Sequence, residues 1–228
     1  RGVCMGAGGS FVEPGVDGVA FQPLRNIDTE QDVLIAAEFI KCCLEEQHVV
    51  VNAYISDDII ATLKQMAETR PLHQRTMTTF QQYAQIKEVK VGILPYTLEG
   101  QYGMIFDADN TNFDFSKFTM FEMGTLMNLG EQCVIPALMH IFSLIEKKFA
   151  AMNDSNGHPT LLVIDEAWVF LQNKYCAKKI DEWFRTLAKQ KVALVIATQD
   201  APSVVKSSII STILANCQTK IFLPDPTA

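Results

Sequence analysis

The stretch TLLVIDEAW, residues 160–168, sets two adjacent carboxylates, Asp165 and Glu166, behind a run of apolar residues. A buried strand that ends in two acids suits phosphoryl transfer. That chemistry needs Mg2+ to neutralise phosphate charge and a group to orient the attacking water. In this reading Asp165 supports the Mg2+ through its water shell, and Glu166 is the general base or water-positioner. The alternative is that the pair caps a helix beginning near Ala167. Gln199 stands at the end of a second apolar run, ALVIATQ. Its neutral amide suits contact with a γ-phosphate or the attacking water, and Thr198 beside it is a candidate nucleotide contact.

Between these runs, KYCAKKIDEWFRTLAKQK has the period of an amphipathic helix. Ile180, Trp183, Phe184 and Leu187 form its core face, with Lys178, Arg185 and Lys189 near the other side. Arg185 or Lys189 is a candidate trans-acting cation for the site of a neighbouring subunit. A charge run of this kind also reads as a solvated face. Trp168 and Trp183 are read as core residues.

Phosphates also need a cradle. The usual one is G-x-x-x-x-G-K-[ST], whose backbone amides and lysine hold them. No Gly-Lys pair occurs in the 228 residues. Gly6, Gly8 and Gly9 precede no strand-to-helix transition and read as turn glycines. The chain opens on Arg1 and closes on LPDPTA directly after an apolar run. Both ends therefore read as cut, and the phosphate loop is expected upstream of Arg1.

Placing two strand ends side by side requires a parallel sheet. Three strands are predicted: TLLVID (160–165), ALVIAT (193–198) and TKIFLP (219–224), with helices between them. Continuous apolar strands alternating with helices mean a sheet covered on both faces, with ligands beyond the carboxyl ends. Upstream, residues 1–24 read as short strands and turns without helix. Residues 29–92 read as a compact helical subdomain with no catalytic constellation of its own. Its first helix is capped by Asp28 or Thr29, its second starts at Ser56 and ends before Pro71, and its third spans HQRTMTTFQQYAQIKEV (73–89). The predicted division is thus 1–28, start of the core; 29–92, helical; and 93–228, remainder of the core. Within that remainder come the loop LPYTLEGQYGMIFDADNTNFDFS, a short strand in KFTMFEMG, and a helix from Gln132 to Met152. That helix carries Leu138, Met139, Phe142, Ile145 and Phe149 on one face, with Pro136 fitting only near its first turn. A polar turn over Asn153–Pro159 follows.

The bulk properties agree with an α/β domain of this size. Hydrophobic residues make up 48% of the chain, enough for a substantial core. The net charge of -7 gives no global pull toward nucleic acid or anionic lipid, although an acidic total does not exclude a DNA-handling motor. The six cysteines form no C-x-x-C pair and read as buried free thiols. His48, His73, His140 and His158 lack zinc-ligand spacing. There is no 18-residue apolar run.

Taken in order, these motifs resemble the central ATPases of type IV secretion and conjugative transfer, the TrbE/CagE/VirB type. GGSFVEPG with FQPL resembles the segment after the family's phosphate-loop helix. LPYTLEGQYGMIFDAD followed by FTMFEMGTLMN resembles its middle signature, and GHPTLLVIDEAWVFL its Walker B region. VIATQD with CQTKIFLPDP resembles its closing strands. The resemblance implies a RecA-like P-loop NTPase core with an all-helical insertion, binding ATP and Mg2+. It places Asp165 and Glu166 at the Walker B positions and Gln199 at the sensor position. It also implies a hexameric homo-oligomer at the cytoplasmic face of the bacterial inner membrane. There it would work with other type IV secretion components and channel proteins to assemble pili or export DNA or protein. One departure stands out. The family commonly has an Arg-Lys pair in the helix after Walker B, where this chain has Ala188 and Lys189. As cut, the chain is expected to fold but to bind ATP weakly or not at all, and to be inactive without the phosphate loop. The rival readings are a DNA translocase or helicase motor of the same fold, and a non-catalytic interaction module in which residues 29–92 dock a partner.

Overall fold

The computed structural model describes residues 1–223 except Asp17, Asn112 and 155–158. The centre of the expected polar turn, the last residue of the expected third strand and the PDP end of the closing motif therefore lie outside the described residues. Two compact units emerge, Arg1–Ser143 and Leu144–Ala228.

The first unit begins with a one-turn helix, α1 (Gly2–Gly6), where only strands and turns were expected. Its glycines disfavour helix, but Cys4 is buried and its thiol donates to the Ser10 carbonyl at 3.4 Å, so packing overrides propensity. Strand β1 (Ser10–Val12) follows, and the helical segment comprises α2 (Glu30–Glu46), α3 (Ala53–Thr69), α4 (Met77–Tyr83) and α5 (Lys87–Ile93). Thr29 caps α2, accepting from the Asp32 amide at 3.1 Å. Helix α3 starts earlier than expected, because Asn52 rather than Ser56 is its cap and accepts from the Ile55 amide at 2.9 Å. The expected third helix is broken in two: Ala84, with φ -53° and ψ 142°, is extended between α4 and α5. Helices α2 and α3 pack together, and Val33, Ala36, Ala37 and Ile40 of the first and Ile59, Leu63 and Met66 of the second are buried.

The middle signature is a structural knot. Its short helix α6 (Gly103–Phe106) places Phe106 against Phe21, Phe39 and Tyr96, with ring centroids 5.6–6.2 Å apart. Asp107, buried, accepts from the amides of Thr78 at 3.0 Å and Leu98 at 2.7 Å. A Cβ on Gly100 would meet the backbone of Leu94 and Pro95, and one on Gly103 that of Thr97, so both positions demand glycine.

Strand β2 (Thr119–Phe121) pairs in parallel with β1, in the register Ser10↔Thr119. A turn of helix, α7 (Gly124–Met127), leads into the long α8 (Glu131–Asp154), in which Leu138, Phe142, Ile145 and Phe149 are buried. Pro136 lies within α8 and cannot donate to the Gln132 carbonyl. That carbonyl accepts instead from the Tyr96 hydroxyl at 2.8 Å. Tyr96→Phe is expected to leave it unsatisfied and to cost about 1–2 kcal/mol. A lower urea midpoint at unchanged m-value would show this; an unchanged midpoint would mean water replaces the hydroxyl.

The second unit holds β3 (Thr160–Ile164), α9 (Trp168–Gln172), α10 (Lys174–Thr186), β4 (Val192–Ile196), α11 (Ala201–Lys206) and α12 (Ile210–Asn216). Strands β3 and β4 are parallel in the register Thr160↔Val192 to Ile164↔Ile196, joined by a crossover through α9 and α10. Ile180, Trp183 and Leu187 are buried as expected, and Phe184 is half-buried. The Trp183 indole donates to Glu146 at 2.7 Å. Burial pulls the nearby Lys179 ammonium down, but the carboxylates of Glu146 and Glu182 more than offset this, so it sits above the ordinary lysine value.

Two expectations are corrected here. Residues 219–223, expected as the third strand, make no ladder, and Ile221, Phe222 and Leu223 are exposed. An apolar run becomes a strand only where a neighbouring edge accepts its hydrogen bonds. This run starts from a local turn instead, in which Lys220 Nζ donates to the Cys217 carbonyl at 2.6 Å. Among the described residues one face of the β3–β4 ladder is also left without full cover, because Leu161, Val163 and Val195 are exposed.

Five of the six cysteines are buried free thiols, and Cys217 is partly exposed. Burial pushes the Cys133 thiol up to about 12 and raises Cys43 well above its ordinary range, so neither is a nucleophile at neutral pH. Among the described residues no helix is long and apolar enough to cross a membrane.

Candidate active site

The candidate site is built where β3 and β4 end. The ladder runs one step past both strands: the Ala197 amide donates to Ile164 and the Ala167 amide to Ala197, each at 2.9 Å. These bonds fix the turn Asp165-Glu166-Ala167, with Ala167 fully buried beneath it. Asp165 closes the turn by accepting from the Glu166 amide at 2.9 Å through Oδ1. Its Oδ2 has no hydrogen-bond partner among the described residues, and the residue is exposed. Glu166 has φ 50°, the left-handed region that non-glycine residues rarely adopt. Strain of this kind concentrates at functional sites.

Both Glu166 carboxylate oxygens are engaged. Oε2 accepts from the Trp168 indole Nε1 at 2.8 Å. Oε1 accepts from the Gln199 side-chain amide, which reaches across from the end of β4. The acid pair does not cap a helix, since α9 has Ala167 as its N-cap and no side-chain cap bond. Trp168, expected in the core, is only half-buried and spends its N–H on Glu166. The contact depends on the left-handed backbone at Glu166, which turns the acid back toward a residue two places later and which no residue type in the sequence announces.

Thr198 serves the turn after β4. Its hydroxyl accepts from the Asp200 amide at 3.1 Å, and Asp200 caps α11 by accepting from the Ser203 amide at 3.1 Å. The Ser203 hydroxyl, which also donates to Asp200, and then the Ser203 amide hold the Asp200 carboxyl below the usual carboxylate range. Gln172 Nε2 donates to the Ser203 hydroxyl at 3.2 Å, tying α9 to α11.

The candidate cations lie elsewhere. Arg185, near the end of α10, pairs with Asp181 at 3.0 Å and donates to the Thr212 hydroxyl at 3.1 Å. Its hydrogen bond holds the Asp181 carboxyl below the ordinary value. Lys189 is exposed in the 3-10 turn Leu187–Gln190. Both precede the amino end of β4 in sequence, while Glu166 and Gln199 follow the carboxyl ends, and a strand of this length spans about 13 Å between its two ends. Neither cation therefore joins its own chain's acids.

Among the described residues no group of three or more His, Cys, Asp or Glu side chains could hold a bare metal ion. Magnesium keeps several waters and is commonly held by one or two carboxylates together with substrate phosphates. An exposed Asp165 with one unengaged oxygen fits that water-mediated role.

Parallel strands joined by a helical crossover, with acids and an amide at their carboxyl ends, accord with a P-loop NTPase fold of the RecA-like kind with a helical insertion, which the family and structure matches show. The TraG P-loop domain family matches residues 63–226. Conjugal transfer protein TrbE of Rhizobium radiobacter is 34% identical over 223 residues, covering 97% of this chain and 26% of that protein. Type IV secretion system protein virB4 of Bartonella quintana is 23% identical over 229 residues, covering 97% of this chain and 28% of that protein. The solved structure of VirB4 of Thermoanaerobacter pseudethanolicus shares the fold, with a TM-score of 0.72 over 96% of this chain and 64% of that one at 13% identity. The chain belongs to the type IV secretion ATPase family, as a TraG-type P-loop domain. It spans just over a quarter of the length of these two curated relatives.

Proposed function

We propose that this chain is part of the ATP-hydrolysing domain of a type IV secretion or conjugation motor. The observation that carries the proposal is the meeting of Glu166 and Gln199 across the carboxyl ends of two adjacent parallel strands. In the bound state ATP supplies the phosphoryl group and Mg2+ neutralises it. Asp165 holds the metal's water shell, Glu166 takes the proton of the attacking water, and Gln199 contacts the γ-phosphate or that water, with Thr198 beside it. The phosphate loop, absent from these residues, belongs to the rest of the parent chain, so the 228 residues alone bind ATP weakly. Residues 29–92 form the helical insertion between 1–28 and 93–228 of the core. Arg185 or Lys189 acts in trans within a hexameric homo-oligomer, which accords with their distance from their own chain's acids. The parent works on the cytoplasmic side of the inner membrane with other secretion components, moving DNA or protein.

The test is ATP turnover by the full-length chain, native against Gln199→Ala. With Mg2+ present, kcat is expected to fall about tenfold to a hundredfold, the usual loss when a positioned polar contact to the reacting groups is removed. Equal turnover by the two proteins would overturn the assignment of Gln199. No turnover by the native full-length chain would favour the interaction module.

A further inference from the structure

Glu166 is a flexible acid on a strained backbone, yet its carboxylate is held at both oxygens. The two donors are unlike. Gln199 is exposed on the turn after β4 and is free to exchange its partner for a phosphate oxygen. Trp168 sits on α9, which is fixed on three sides: Ala167 and Leu171 are buried, and Gln172 is tied to Ser203 at 3.2 Å. Its half-buried indole N–H has Glu166 as its partner, as a tryptophan N–H withdrawn from water requires. The left-handed φ of 50° at Glu166 is what turns the carboxylate back over the residue two places later. Two residues apart on a regular helix would not face each other.

We propose that Trp168 is a positioning residue for Glu166. In this arrangement the indole N–H is a permanent anchor on Oε2. Gln199 is the exchangeable latch on Oε1. When nucleotide draws the Gln199 amide toward its γ-phosphate, Oε1 is released to accept the proton of the attacking water, while Oε2 stays aligned by Trp168. The site then couples nucleotide arrival to the freeing of its base, and Trp168 keeps the freed carboxylate from swinging into solvent. The inference rests on the proposed role of Glu166 in hydrolysis.

The experiment uses the full-length chain and two changes at one position. Trp168→Phe removes the N–H and part of the ring. Replacing the indole of Trp168 by benzothiophene, through an unnatural amino acid, keeps the shape and exchanges only the N–H for sulfur. Both are expected to lower kcat about tenfold to a hundredfold, as misplacement of a reacting group by an ångström does. The KM for ATP should stay within about twofold, because ground-state binding is untouched. If the benzothiophene protein turns over at the native rate, the N–H has no positioning role and the proposal fails, whatever the Phe variant does. Glu166→Gln, measured alongside, separates the two ideas. Native turnover by that variant sinks the hydrolytic reading itself, whereas an inactive Glu166→Gln beside a fully active benzothiophene protein sinks only the anchor.

Discussion

In the full-length chain, Glu166→Gln is expected to lower ATP turnover by about a thousandfold, within the range removed with a general base. The substitution is nearly isosteric, so the buried Ala167 and the bonds that extend the β3–β4 ladder should survive it. What changes is chemistry and local pairing. An amide cannot take the proton of water at neutral pH. It also presents an NH2 group to one of two donors, the Trp168 indole or the Gln199 amide, that now share a carboxylate. Either one of those contacts opens or Gln199 turns its own amide over to offer its carbonyl oxygen. The Asp165 side chain, which bonds the Glu166 backbone rather than its carboxylate, keeps its place and its unengaged oxygen. Nucleotide affinity, read with a fluorescent ATP analogue and Mg2+, should therefore stay within about threefold while kcat collapses, the pattern of a group that acts only in the transition state. Equal loss of affinity and turnover would instead assign Glu166 to ground-state binding, and equal turnover would remove it from the chemistry altogether.

The site was legible in the sequence wherever local pattern and topology agree. A continuous apolar run ending in two acids, and a second run ending in Thr-Gln, dictate neighbouring parallel strands whose carboxyl ends carry the polar groups. The structure pairs them in register through Ile164↔Ile196. The same logic overreached at residues 219–223, because hydropathy records what a strand would bury and not whether an edge awaits it. Helix starts depended on which of several capping residues the chain uses: Asn52 precedes Ser56 and takes the Ile55 amide first. The break at Ala84 has no glycine or proline to announce it. It is set by tertiary bonds, with the Gln85 amide donating to Asp58 at 3.3 Å and the Gln81 side chain to the Lys90 carbonyl at 3.0 Å. The engagement of Arg185 was readable, since Asp181 lies one helical turn before it. The role of Trp168 was not, because it depends on a backbone angle at Glu166 that no residue type signals.

Arg75→Met is the second large effect expected, and it acts on the architecture rather than the chemistry. Sequence periodicity placed Arg75 inside a helix of 73–89; the structure puts it in the turn between Leu72–Gln74 and α4, with its side chain only 6% exposed. A buried guanidinium must be satisfied on every side, and this one is. Nε donates to the Arg70 carbonyl at 3.0 Å, Nη1 to Arg25 at 3.1 Å and Nη2 to Ala67 at 3.1 Å, while Asp28 lies 2.8 Å from Nη2. The side chain thus fastens the end of α3 to residues 25–28, where the chain leaves the β1 segment for the helices. Gln22 reinforces the join by donating to the Leu72 carbonyl at 2.5 Å. Methionine matches the length but strands three carbonyls, so a loss of about 3 kcal/mol is expected, near the lower end for breaking a buried charged network. For a unit of this size that is a drop of about 6–12 °C in Tm. Asp28→Asn gives the contrast: the Asp28 side chain is 61% exposed, so losing that ion pair should cost under about 1 kcal/mol. If the two variants melt together, the ion pair and not the carbonyl set holds the join. If Arg75→Met melts within about 2 °C of the native protein, water enters the turn as readily as the guanidinium fills it, and the helices are held to the segment before them by apolar packing alone.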